Sequence, residues 1–89
     1  MKVQYDLDFI KELKKLDVRI RKSFKERIAL FSKNLYNKLL NNHALGDPYG
    51  GFRSIDITAD YRAVYEEVKE EDEIIMYFVI LGTHKELYN

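Results

Sequence analysis

His43 and His84 are the only imidazoles in this 89-residue chain, which has no cysteine. Without thiols there are no disulfides, thiolate zinc sites or thiol nucleophiles, so catalysis falls to His, Asp, Glu, Arg, Lys or Tyr. Each histidine stands at the end of an expected element, where a solvated ring is the bland reading. Asp56 and Asp60 sit near strand ends, and antiparallel hairpins can bring such ends to neighbouring parts of one sheet. Metal-free RNA cleavage is the reaction that suits this set. A base takes the 2′-OH proton, the oxygen attacks the adjacent phosphorus, cations stabilise the phosphorane, and an acid protonates the departing 5′-oxygen. Zinc is the weaker reading: His43, His84 and one carboxylate are widely separated, and no close ligand pair such as His-Glu-x-x-His occurs. No metal or other cofactor is expected.

Two arginines have uses beyond phosphate. Arg62 shares a strand face with Val64, and Arg53 shares one with Ile55 and Ile57. Each therefore suits an ion pair or a carbonyl anchor as well as a phosphate contact. Tyr61, Tyr65 and Tyr77 read as packing across strands. Tyr88, outside any apolar stripe, is the better platform for stacking on an unpaired base.

Several elements must position these groups. Met1–Tyr5 alternates apolar and polar residues, as an edge strand does. Asp6 is an N-cap for a helix over about Leu7–Leu16, striped by Phe9, Ile10, Leu13 and Leu16. Asp17 caps a longer helix, because Ile20, Phe24, Ile28, Phe31, Leu35 and Leu39 keep helical spacing until Asn41-Asn42 ends it. A loop over about His43–Gly51 contains the turn signal Asp47-Pro48-Tyr49-Gly50-Gly51. Strands follow at Phe52–Ile57, Tyr61–Val68 and Glu73–Leu81. The apolar run Ile74–Leu81 belongs inside the sheet, and Gly82 ends it before a short tail. The order β-α-α-β-β-β predicts an α+β fold, a two-helix hairpin on a curled antiparallel sheet, with residues 1–89 as one domain.

Charge divides along the chain although the net charge is zero. Residues 1–43 hold 11 Lys/Arg against 5 Asp/Glu, and residues 44–89 hold 4 against 10. Glu66–Glu73 alone carries six acids and one base. As a hairpin tip it would project into water and leave the basic helices able to meet a polyanion. The longest apolar run is far short of the ~18 residues of a membrane span, and Lys2, Asp6 and Asp8 interrupt any leader-like segment. A soluble, cytoplasmic protein without a membrane partner is expected.

The segments His43-Ala-Leu-Gly, Gly51-Phe-Arg-Ser-Ile-Asp-Ile, Asp60-Tyr-Arg-Ala-Val-Tyr65 and Leu81-Gly-Thr-His-Lys-Glu-Leu-Tyr88 resemble the RelE/ParE toxin superfamily, and within it the YafQ-type messenger-RNA interferases. The resemblance implies a toxin of a type II toxin–antitoxin system that cuts mRNA in the ribosomal A site. It also implies a cognate antitoxin that holds the toxin inactive and through which the complex binds operator DNA. By position it implies catalytic roles for His84, Asp60 and His43, a phosphate contact for Arg62 and base positioning by Tyr88. Two positions depart from the pattern: Asp56 stands where YafQ-type relatives carry His, and Ile80 where they carry Arg. Lys85 and Arg53 are then further sources of phosphate charge, and Asp56 becomes a candidate substrate contact. The alternatives are a ParE-like toxin that inhibits DNA gyrase by binding, and a degenerate toxin serving only as an antitoxin-bound corepressor.

Overall fold

The computed structural model describes residues 1–88. In chain order the elements are β1 (Lys2–Tyr5), α1 (Leu7–Lys15), α2 (Val18–Lys33), a 3-10 turn (Lys38–Leu40), β2 (His43–Ala44), β3 (Arg53–Asp56), β4 (Tyr61–Glu70), β5 (Glu73–Thr83) and α3 (His84–Tyr88). The strands form one sheet in the order β1-β5-β4-β3-β2. This is the expected α+β architecture, with α1 and α2 packed on one face of the sheet. The sheet is mixed, because β1 pairs parallel with β5 while the other pairs are antiparallel. β1 and β5 are the first and last strands of the chain, so no tight hairpin links them and their pairing is free to be parallel.

Both long helices start where their caps predict. The Asp6 carboxylate accepts the Asp8 N–H at 3.0 Å, and that of Asp17 accepts the Arg19 N–H at 2.7 Å. The end of α2 differs from expectation. The apolar stripe predicts helix as far as Asn41-Asn42, yet α2 stops at Lys33. Asn34 is extended at φ −154° and its side chain accepts the Tyr36 N–H at 3.1 Å. Asn37 repeats the device, accepting the Leu39 N–H at 3.0 Å. Short amide side chains offer the backbone a turn in place of the next helical bond, and two of them end the helix early. Leu40 is therefore the core residue, while Leu39 is exposed.

The core lies between the helices and the sheet and is built of rings. Phe78 of β5 is fully buried. Its ring centroid lies 5.1 Å from Tyr65, 5.4 Å from Phe31, 5.7 Å from Tyr5 and 5.8 Å from Phe9. One ring thus joins β1, α1, α2, β4 and β5.

A bulge in β5 controls what happens beyond this core. Val64 is opposite Ile80, whereas Tyr65 is opposite Phe78, so Val79 is the extra residue. Successive strand residues alternate faces, and an inserted residue reverses that parity for all that follow. Met76 and Phe78 face the helices before the bulge, and Leu81 does so after it. Gly82, opposite Arg62, consequently faces away from the helices. Replacing Phe78 with Ala should lower the unfolding free energy in urea by about 3–5 kcal/mol; a loss below about 1 kcal/mol would contradict its place at the centre of the core.

Candidate functional site

The face of the sheet remote from α1 and α2 collects most of the candidate residues. Two cross-strand rows define it. One runs His43, Ser54, Val64, Ile80, and the next runs Asp56, Arg62, Gly82. The C-terminal helix α3 covers the second row: a Cβ at Gly82 would lie 3.6 Å from Leu87 and 3.4 Å from the Glu86 carboxylate. Glycine here admits the helix against the strand.

The strand expected to end at Gly82 runs on to Thr83, and the short tail after it is a capped helical turn. The Thr83 N–H donates to Glu86 Oε1 at 2.8 Å, and the Glu86 N–H donates to Thr83 Oγ1 at 3.1 Å. This reciprocal pair is a capping box, and its sequence signal is the Thr-x-x-Glu spacing of Thr83 and Glu86. The Thr83 backbone bond, followed by the Thr83 hydroxyl, holds the Glu86 carboxyl below its ordinary range.

His84 opens α3 at the surface, and its N–H donates to the Asp60 carbonyl at 2.8 Å. That bond joins the end of β5 to the start of β4 and sets His84 beside Asp60. The His84 ring also lies against Tyr88, with centroids 4.6 Å apart. His84 is thus adjacent to Asp60 through the backbone and to Tyr88 through its ring. Lys85 is the exposed cation next in sequence.

Arg62 has a structural task. Its Nε lies 2.9 Å from Asp56 Oδ1, and both side chains are largely buried. The N–H is not aligned on that oxygen, so the contact is an ion pair without a hydrogen bond. Nη1 donates to the carbonyls of Thr58, Tyr61 and Ala59 at 2.9, 3.1 and 3.2 Å. Arg62 therefore holds together the β3–β4 turn that carries Asp60. Asp56 balances its charge.

Arg53 and His43 lie apart from the corner that holds His84 and Asp60. Arg53 is on the helix-facing side, where its Nε donates to the Asn42 side-chain carbonyl at 3.0 Å and its guanidinium lies 5.6 Å from the Tyr36 ring centroid. Asn42 also exchanges hydrogen bonds of 2.8 and 3.0 Å with the Tyr65 hydroxyl, and burial raises the pKa of that phenol. Alternation along β3 sets Arg53 on the face opposite Asp56 and Arg62. His43, expected in a loop, belongs to β2, and its Nδ1 is 2.7 Å from the Asn41 carbonyl. Three strand spacings separate its row position from that of Ile80 on β5, roughly 14 Å. The two histidines are not neighbours.

A cleft of about 400 Å³ opens beside α3, between Tyr88, Glu86 and Leu87 on one side and Leu45, Asp47 and Tyr49 of the β2–β3 loop on the other. Sequence reading had marked that loop only as a turn. No helix of the described residues is long and apolar enough to cross a membrane.

Comparison with known proteins decides the family. The family model described as "ParE toxin of type II toxin-antitoxin system, parDE" matches residues 3–88. The chain belongs to the ParE toxin family. It is accordingly a toxin of a type II toxin–antitoxin system, within the RelE/ParE superfamily. Its fold is similar to that of the YoeB/ParE toxin from Agrobacterium tumefaciens, at 21% identity and TM-score 0.75 over 94% of this chain and 99% of that one. YafQ from E. coli is likewise similar, at 21% identity and TM-score 0.76 over 99% and 98%. A metal-bound toxin from Helicobacter pylori aligns at 24% identity and TM-score 0.69 over 99% of both chains. None of the curated protein sequences matches this toxin.

Two outcomes test the site. Arg62→Ala should lower the unfolding free energy by about 1–3 kcal/mol, because it takes the guanidinium donor from the Thr58 and Ala59 carbonyls and the counter-charge from a largely buried carboxylate; an unchanged urea midpoint would mean that the arginine does not anchor the turn. The capping box should respond to acid. A carboxyl with a lowered folded pKa stabilises α3 above its ordinary range, and that contribution disappears as pH falls through the folded value. Exchange of the Thr83 amide should accelerate in wild type, relative to the intrinsic rate, as pH drops below the ordinary glutamate range, and Glu86→Gln should remove this pH dependence.

Proposed function

We propose that this toxin is a ribosome-dependent endoribonuclease that cuts mRNA in the A site by metal-free acid–base chemistry. One observation carries the reading: the 2.8 Å backbone bond from the His84 amide to the Asp60 carbonyl brings a residue with an exposed imidazole and a residue with an exposed carboxylate to one corner of the sheet. The 4.6 Å contact between the rings of His84 and Tyr88 adds a stacking surface beside them.

In this mechanism Asp60 removes the 2′-OH proton, and the freed oxygen attacks the adjacent phosphorus. The 5′-oxygen leaves with a proton from the His84 imidazolium. Lys85 offsets charge on the phosphorane, and Tyr88 holds a base by stacking. Arg62 acts as a positioning residue through the turn that bears Asp60. The separation of His43 favours His84 as the acid over an exchange of roles between the histidines. Each general acid or base would supply on the order of 10²–10⁴ in rate.

The E. coli DinJ-YafQ structure, similar in fold, is a toxin–antitoxin complex. By analogy a cognate antitoxin covers this toxin and links it to operator DNA, in the cytoplasm. The basic first half favours an acidic, apolar segment that folds on binding.

A second reading has its own support. Arg62 is engaged with Asp56 and three carbonyls, which favours a toxin that blocks DNA gyrase by binding and needs no phosphate clamp. Expression of wild type and His84→Ala separates the two. Nuclease action predicts arrest with new mRNA 5′ ends for wild type, and at least a hundredfold fewer ends with no arrest for the folded mutant. Equal arrest by both proteins, with intact mRNA and DNA damage, would replace the nuclease with the gyrase inhibitor.

A further inference from the structure

We infer that the cleft between the β2–β3 loop and α3 is a base-specificity pocket, built to take guanine and to refuse uracil. The inference rests on the nuclease reading and names the nucleotide feature that its site selects.

The cleft, about 400 Å³, falls within the range of small-molecule sites, roughly 300–1,000 Å³. Two of its walls are aromatic, Tyr49 from the loop and Tyr88 from α3. Its charged side chains, Asp47 and Glu86, are both acidic, and no cation lines it among the described residues. A phosphate is repelled from such a pocket. A flat, neutral ring fits, provided that its edge donates hydrogen bonds.

Carboxylates only accept, so they sort bases by their donors. Guanine presents N1–H and the 2-amino group side by side, a pair that one carboxylate can accept together. Uracil presents a single N3–H between two carbonyls, both of which face repulsion from an anion. The capping box holds Glu86 in place: Oε1 takes the Thr83 N–H at 2.8 Å, and the carboxylate keeps further lone pairs for a ligand. The lowered pKa leaves that group ionised at neutral pH.

Tyr88 connects the pocket to the proposed chemistry. It lines the cleft and contacts the His84 ring at 4.6 Å. A base stacked on Tyr88 therefore belongs to a nucleotide beside the scissile phosphate, and its phosphate stays outside, near His84 and Lys85.

The probes are 5′-GMP and 5′-UMP, which share a phosphate and differ in the base. Titration of the intact toxin, followed through the backbone amides of Tyr49, Glu86 and Tyr88, should show GMP binding at least tenfold tighter than UMP. Glu86→Gln, which preserves a capping side chain, should remove that preference with the fold unchanged by circular dichroism. Tyr49→Ala should weaken GMP binding, also about tenfold. Equal binding of the two nucleotides, binding of neither, or a preference that survives Glu86→Gln would overturn the pocket even if the toxin cuts mRNA. Selective GMP binding by a toxin that leaves mRNA intact would uphold the pocket and remove the nuclease.

Discussion

β5 runs inside the sheet between β1 and β4, and the rest of the architecture follows from which of its side chains face the helices. Its run from Ile74 to Leu81 is apolar throughout, so the sequence alone does not say which face each residue takes. Before the bulge, Phe78 enters the aromatic cluster beneath α1 and α2. After it, the reversed parity turns Gly82 toward the remote face, where Leu87 of α3 folds over it. One inserted residue, Val79, thus decides on which side of the sheet the C-terminal helix lies. Without it the end of β5 would face the helical core.

The bond between the His84 N–H and the Asp60 carbonyl extends this constraint to the site. It is a ladder-like contact at the last position before the chain turns into α3, and the capping box of Thr83 and Glu86 completes the turn. The Asp60 segment is held from the other side by the Arg62 guanidinium, which gathers three carbonyls of the same turn. An exposed corner with two titratable side chains is thereby supported by backbone bonds, leaving the side chains available. Supporting groups of this kind give a surface site defined geometry without burying it.

Distance along the strands sets most of the acidic stretch apart from the site. The acidic stretch occupies the turn between β4 and β5, whereas Asp60 and His84 stand at the other end of the same strands. The ten residues of β4 span roughly 30 Å, several Debye lengths at physiological salt. The hairpin's anions are screened from the site, and near-neutral net charge says little about the local field at His84. Glu86 and Asp47, in contrast, stand within the cleft that flanks it.

Much of this was legible from residue order. The caps Asp6 and Asp17, the stripe of Phe9, Phe24 and Phe31, the edge position of β1, the interior position of β5 and the family resemblance all depend on local pattern, which propensity and periodicity encode. Three matters belonged to the tertiary structure alone. Asn34 and Asn37 ended α2 although its apolar spacing continued, because side-chain bonds to the backbone outweighed the stripe. Arg62 and Arg53 look alike in sequence, but strand parity and their neighbours gave one to the Asp60 turn and the other to Asn42 on the opposite face. The bulge at Val79 had no sequence mark, since an apolar run looks the same in either register; only its pairing with β4 selected the face on which His84, Tyr88 and the cleft would meet.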